Sequence, residues 1–409
     1  MTKFEWSPSP NLPEEAASFA GVDRDEMVRR ARNLASRLRG RVAQCEKLRR
    51  MPDETERDLH ELGLFRIAQP ARVGGADLDI GIFIDVCAEI ARICPSTAWN
   101  LGNLAAHHWM LGYFPPEAQH ELWDVSPDVL IATSLAFPRG RGRQVDGGFV
   151  VSGRWPFSSG VDNSDWNMLA VTVREGDRVV DQRFALLHRS QYEIIDNWHA
   201  LGLRGTGSKD VTATEVFVPE YRTAAVTMMT GGPHPGSALN PSPLFRLPVL
   251  AIGTNVLTGV ALGCAQGAYD GYVGAARKRN TTYTGTPVGG FQAVQIKVAE
   301  AAALIDSAAL TMRHNCRHAT DLAEAGQVPS LEDKLRYRRD GAWTVRQCRE
   351  AVDILMGLSG AGGLYDTADM QRFFRDAHAI AAHIMYAFDV QATMFGQHAL
   401  GIPGPPPVL

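Results

Sequence analysis

The sequence predicts an α+β fold in three successive parts: an N-terminal α-helical domain over 1–126, a central β domain, a small β-barrel or sandwich, over 127–225, and a C-terminal four-helix bundle over 226–409. Three observations predict it. Apolar residues recur at helical spacing in the first part, and short β-branched runs separated by turn-forming clusters make up the second. Long apolar segments rich in alanine and glycine fill the third. With 409 residues, 45% of them hydrophobic, the chain can bury a core for two or three domains.

Met27, Ala31, Leu34, Leu38, Val42 and Cys45 give an amphipathic helical period across 23–62, which stops near Gly63. Ile82, Val86, Ile90 and Ile93 mark a more apolar helix ended by Pro95. Residues 96–111, which hold Trp99, His107, His108 and Trp109, continue as helix. After Pro127 the texture changes. Residues 129–134, 148–152, 166–173, 183–187 and 211–218 read as short strands, with Asp146-Gly147-Gly148 as a hairpin turn. A proline-rich loop runs through Gly231–Gly236 and Asn240–Pro243. Four long helical segments then follow, over 249–279, 290–325, 330–358 and 368–400.

Charge and cysteine usage exclude several classes of function. The formal charge of −4 comes from 41 basic and 45 acidic side chains, with no basic block suited to nucleic acid. No apolar run approaches the roughly 20 residues of a membrane helix. Residues 1–10 lack the apolar core of a signal peptide, so a cytoplasmic protein is expected. The six cysteines have neither metal-ligand nor redox-motif spacing and are expected to be reduced packing residues, with no metal site. Gly360-Ala-Gly-Gly363 follows a helix rather than a strand, so it is not a dinucleotide-binding turn.

Leu355-Met-Gly-Leu-Ser-Gly-Ala-Gly-Gly-Leu-Tyr365, followed by Arg375-Asp376-Ala377, resembles the C-terminal signature of the acyl-CoA dehydrogenase fold. The order of helices, β domain and bundle extends that resemblance over nearly the whole chain. In dehydrogenases of this fold the base is a glutamate that follows Arg-Asp-Ala. Its place here is taken by Ile384, beside His383, and isoleucine accepts no proton. The chain is therefore similar to the oxygenase components of two-component flavin-dependent phenol hydroxylases, of the p-hydroxyphenylacetate, resorcinol and seco-steroid type.

That resemblance implies an activity and a set of partners. Reduced flavin, FADH2 or FMNH2, would come from a separate NADH-dependent reductase. With O2 it would form a C4a-hydroperoxyflavin that ortho-hydroxylates a small phenol. Members of the fold are commonly tetramers, and large apolar faces at Val249–Leu262, Ile354–Leu358 and Ile380–Phe388 suit a homotetramer.

The same resemblance implies site residues. Arg154-Trp-Pro-Phe-Ser-Ser-Gly160 passes the flavin: Phe157 lines it, Ser158 is the first choice for the N5 partner and Ser159 the second. Thr133 and Ser134 end the first strand where it meets flavin or substrate. Gly362 and Gly363 lie in the glycine-rich turn. Arg279 and Gln292 stand where dehydrogenases contact the flavin phosphates across a subunit boundary, a task suited to the arginine fork. Arg139, Arg141 and Arg143 replace the usual Thr-Glu-Pro stretch and read as a solvated loop, or as part of a phosphate or reductase contact. Trp99 and His107 line the substrate pocket, and His107 is the base if His383 is not. His383 is the first candidate for the base that takes the phenolic proton, because its ordinary pKa of about 6.5 suits that transfer near neutrality. His378 reads as structural, and His398 is a weaker pocket candidate. Alternatives stay open at this point: N- or S-oxygenation on the same scaffold, an acyl-CoA dehydrogenase with a relocated base, or a scaffold without flavin.

Overall fold

The computed structural model describes residues 6–13, 15–403 and 409; of the segment read for a signal peptide, residues 1–5 lie outside these. Six helices come first: α1 (Arg24–Leu38), α2 (Val42–Leu48), α3 (Asp53–Glu61), α4 (Ile82–Ala91), α5 (Pro95–Leu111) and α6 (Pro116–Trp123). The single amphipathic stretch expected over 23–62 is thus three helices. Gly40 sits in the turn after α1, Arg49 ends α2 with a left-handed φ of 55°, and Pro52 precedes α3. Glycine and proline are the poorest helix formers, so the apolar period runs on while the backbone breaks.

Eight strands follow: β1 (Ile131–Ser134), β2 (Gly140–Val145), β3 (Gly148–Ser158), β4 (Trp166–Glu175), β5 (Arg178–His188), β6 (Glu193–Ile195), β7 (Lys209–Pro219) and β8 (Thr223–Ala225). Their hydrogen-bonded order is β6-β7-β3-β2-β4-β5-β8, with β1 also paired to β4. One face carries its own core of Phe149, Val151, Trp155, Leu169, Val171, Leu187 and Val211. That core is enclosed because the sheet wraps over itself: β5 and β7, with three strands between them in the order, touch across it. The other face, with Trp166, Met168, Phe184 and Leu186, joins the main core formed with the helices on either side of the sheet in sequence.

Strand β2 corrects the reading of 137–143 as a loop. Gly140 and Gly142 face inward while Arg141 and Arg143 stay exposed, a two-residue alternation whose buried face is glycine. A Cβ on Gly140 would stand 2.2 Å from the Ala170 carbonyl oxygen. The hairpin turn at Asp146-Gly147 is present, with φ 73° at Gly147.

The last part contains α7 (Val249–Ile252), α8 (Thr258–Ala276), α9 (Gln292–Glu324), α10 (Leu331–Ser359), α11 (Asp369–Ala381) and α12 (Phe388–Ala399). Helices α8 to α11 form the bundle. Among the described residues, Val249–Ala276 is long and apolar enough to cross a membrane, contrary to the expectation that no run is. However, 83% of its most apolar window is buried inside the protein, which makes it the central core helix. Gly259, Gly263 and Gly267 fall on one face of α8. Added Cβ atoms there would meet the carbonyls of Ile84, Ala88 and Arg92 at 2.5, 2.2 and 2.5 Å, so α4 lies directly on the α8 backbone. All six cysteines are free and buried, as expected.

Candidate active site

Helix α5 carries Trp99 and His107, both buried. Trp99 Nε1 donates to Ser159 Oγ at 3.0 Å, and its ring meets His383 edge-on at 5.4 Å. His107 lies two turns further along, about 12 Å by helical rise, and its Nδ1 bonds the Ile131 carbonyl at the start of β1. The neighbouring His108 turns into the N-terminal core, where its Nδ1 accepts from Trp123 Nε1 at 3.1 Å. Of the two adjacent histidines, His107 is therefore the one beside β1. At the far end of that strand, the Thr133 and Ser134 hydroxyls are spent on the Met168 and Pro156 carbonyls.

The turn after β3 separates the two serines. The strand register shifts between Trp155 and Ser158, and Phe157 takes φ 63°, a strained value for a side chain with a Cβ. Ser158 is consequently buried inside the sheet, where its Oγ accepts from Asn167 Nδ2 at 2.9 Å. Its hydroxyl is thus enclosed by the sheet and engaged by Asn167, whereas the neighbouring serine is oriented differently. Ser159 instead faces Trp99 and bonds Ser208 Oγ at 2.7 Å. Phe157 is 65% exposed and meets Trp198 edge-on at 6.3 Å.

The helix expected over 368–400 is interrupted at His383. Helix α11 ends at Ala381, and the half-buried His383 caps the following turn, its Nδ1 accepting from Met385 N at 3.3 Å. A side chain that competes for backbone N–H groups breaks a helix that composition alone would continue. Tyr386 Oη then ties the turn to the Thr254 carbonyl at 2.8 Å. His378 pairs with Asp353 at 2.8 Å and is structural, while His398 is exposed on α12.

These contacts fix the tautomers. A carbonyl only accepts, so His107 Nδ1 carries the hydrogen and Nε2 keeps a lone pair. His383 is the reverse: Nδ1 accepts and Nε2–H donates. Burial pushes both pKa values down to about 4, so both imidazoles are neutral at pH 7.

The Arg-Asp-Ala segment of α11 fastens the β domain to the bundle. Asp376 is buried and accepts from Leu203 N at 2.6 Å. Arg375 donates to the Leu201 carbonyl at 2.7 Å and pairs with Glu46 of α2 at 2.9 Å. Arg279 donates to the Ser359 and Leu358 carbonyls at the end of α10, at 2.9 and 3.0 Å, through one N–H on each terminal nitrogen. Gln292 is exposed at the first position of α9. Gly363 is buried in the turn after α10, whereas Gly362 has open space around it.

Trp99, Ser159 and His383 thus come together, with His107 and β1 further along the same helix. Sequence reading missed Asn167, Thr206 and Ser208. The Gly205-Thr-Gly-Ser208 turn was the available signal for the last two. Among the described residues no group of His, Cys, Asp or Glu is arranged to hold a metal.

Residues 255–388 match the acyl-CoA dehydrogenase C-terminal domain, and residues 23–123 match its N-terminal domain. The flavin-dependent monooxygenase oxygenase subunit HsaA of Mycobacterium tuberculosis (strain ATCC 25618 / H37Rv) is 35% identical, over 91% of this chain and 94% of its own length. The FADH(2)-dependent resorcinol hydroxylase oxygenase component of Rhizobium sp. (strain MTP-10005) is 35% identical, over 92% and 94%. The crystal structure of 3-HSA hydroxylase from Rhodococcus sp. RHA1 superposes with a TM-score of 0.90 at 34% identity, covering 95% of this chain and all of that one. With such relatives aligned end to end on this fold, the chain belongs to the family of flavin-dependent monooxygenase oxygenase components.

Proposed function

We propose that this chain ortho-hydroxylates a small phenol, using O2 and reduced flavin supplied by a separate NADH-dependent reductase, and that His107 is its base. One observation carries the reading: Ile384 stands in the dehydrogenase base position, while His107 offers an unprotonated Nε2 whose orientation is fixed by Ile131. The open apolar rim fits a flat aromatic cofactor. Phe157 and Ile384 are 65% and 66% exposed, with Trp198 beside Phe157. A flavin there would be held by Phe157 and Ser159, with Gly362 and Gly363 at the turn. Gln292 and the unused Arg279 N–H groups would lie on its phosphate side. Reduced flavin supplies the electrons that activate O2.

The chain's own part is to hold and move a proton. His107 Nε2 takes the phenolic proton, which raises electron density at the ortho carbon. His383 Nε2–H donates and positions, and the Trp99 ring holds it in place. Names of relatives support both partners, since the Rhizobium protein is FADH(2)-dependent and acts on resorcinol. The test is incubation with chemically reduced FMN or FAD, O2 and a panel of phenols. Catechol-type products are expected. Bound flavin that CoA thioesters bleach, with no phenol converted, would overturn the reading.

A cytoplasmic homotetramer completes the proposal. Val249–Leu262 is mostly buried within the protomer, so that face is not the interface. Exposed apolar residues lie instead on α9 (Ile296, Leu310), on α10 (Trp343) and at Tyr283, 99% exposed in the α8–α9 loop. Light scattering is expected to give four times the 44.6 kDa chain mass; the mass of a single chain would refute it.

A further inference from the structure

Helix α5 opens along a single stripe. Of its 17 residues, Asn103 alone is not buried. Trp99, Ala106, His107 and Met110 keep 4%, 7%, 3% and 6% of their surface, whereas Leu101, Leu104, Ala105, His108 and Leu111 keep none. Positions 99, 103, 106, 107 and 110 follow helical spacing and share one face. His383 closes on this stripe at Trp99, and β1 closes on it at His107. Asn103 thus stands between the two, about 6 Å by helical rise from each. Its carboxamide has a fixed sense, because Nδ2 donates to the Trp99 carbonyl at 2.9 Å. A flipped amide would set two acceptor oxygens against each other, so the nitrogen faces the helix and Oδ1 turns away from it. No described residue donates to Oδ1. The Trp99 N–H is already given to Ser159, so Asn103 and His107 are the polar groups this stripe offers.

We propose that Asn103 selects the substrate, its Oδ1 accepting from a second hydrogen-bond donor, a hydroxyl or amine meta or para to the phenolic oxygen whose proton His107 takes. A benzene ring carrying two such groups spans about one helical turn, so it can lie along the stripe with one group at each side chain. A phenol without the second donor covers Oδ1 and leaves it unpaired, which costs binding that the donor-bearing ring keeps. Because Oδ1 only accepts, a carboxylate or an ether at the same place on the ring gains nothing there. The inference rests on the phenol reading given above. It narrows the substrate from any small phenol to one with a second donor, and it assigns that choice to a residue other than the base.

The test compares kcat/KM for matched phenols in the whole protein, supplied with chemically reduced FMN or FAD and O2. Meta- and para-dihydroxybenzene and meta- and para-aminophenol are set against meta- and para-methylphenol, which match them in size and lack the donor. Wild type is expected to favour the donor-bearing rings. These rings also differ in intrinsic reactivity, so the quantity to read is the change in that preference in the nearly isosteric Asn103→Leu. It should fall roughly threefold to tenfold, the effect of one neutral hydrogen bond. Asn103→Asp keeps an acceptor while losing the bond to Trp99, so it should retain the preference, which an amide serving only the helix would not explain. It also serves if Asn103→Leu does not fold, and loss of the preference in Asn103→Asp counts against the proposal. An equal change for donor-bearing and methyl rings in Asn103→Leu overturns it. So does weakened binding of reduced flavin in anaerobic titration, which would put the amide on the flavin. Phenols converted with the preference unchanged in Asn103→Leu would defeat this inference alone, whereas no conversion of any phenol would remove the phenol reading with it.

Discussion

Replacing His107 with alanine is expected to lower phenol hydroxylation by roughly 10²–10⁴-fold, the usual range for a lost general base. His107 Nε2 is the acceptor, because Nδ1–H is committed to Ile131. Reduced flavin should still bind and be consumed, so the electrons should appear as hydrogen peroxide rather than as product. Raising the pH toward the phenol's own pKa near 10 should recover part of the loss, since solvent then supplies the phenolate. His383→Ala should cost much less, roughly threefold to tenfold, because the imidazole contributes one donated hydrogen bond. The order of the two variants is the decisive measurement. If His383→Ala is the more damaged, the base is His383 and the tautomer assignment is wrong.

The pH profile provides a second check on the same residue. Burial holds the His107 pKa down to about 4, so its lone pair is free across the physiological range. A lowered pKa moves the loss of base to lower pH. Hydroxylation should therefore be flat from pH 8 to 6, with its acid limb near pH 4 to 5 rather than at 6.5. A limb near 6.5 would indicate an exposed histidine.

The three-part architecture was legible because helical period, strand-length apolar runs and Ala/Gly-rich segments occupy separate stretches of the chain. The breaks and the exact faces were not. Strand β2 escaped notice because its inward face is Gly140 and Gly142, which carry no apolar signal. The end of α11 was invisible because Ala379–Ala382 continues a good helical run, and the cap that follows it, the His383 imidazole on Met385 N, is a contact rather than a composition. The choice between Ser158 and Ser159 depends on strand parity. A single irregularity at Phe157 flips every residue after it, and no local composition announces such a shift. Trp99 and His107 were both placed at the site, but their partners come from Ser159 and Ile131, far away in sequence. Hence the direction of each hydrogen bond, on which the base assignment turns, required three-dimensional contacts.

Asp376→Ala is expected to lower stability by about 3 kcal/mol, and the reason shows why Arg-Asp-Ala persists without the dehydrogenase base. Asp376 is buried on α11 and accepts from Leu203 N at 2.6 Å, across 173 residues of sequence. Burial raises its pKa to about 6, which the nearby Arg372 opposes, so it is a carboxylate at pH 7.5. Leaving the buried Leu203 N–H without its charged acceptor costs about 1–3 kcal/mol. The upper end applies because the Coulomb attraction between Asp376 and Arg372 is lost as well, although Asp369 stays 2.9 Å from Arg372. Gly202 is pressed so closely on α11 that a Cβ would stand 2.2 Å from the Arg375 carbonyl oxygen, leaving the loop no alternative seat. The loss should therefore be local as well as global. Amide exchange at Leu203 should accelerate, and with it exchange at Thr206, whose N–H bonds the Leu203 carbonyl at 3.1 Å. Asp376→Asn keeps an acceptor for Leu203 and should restore part of the unfolding midpoint in urea. A wild-type midpoint in Asp376→Ala, with Leu203 still protected, would show that the segment does not fasten the β domain to the bundle.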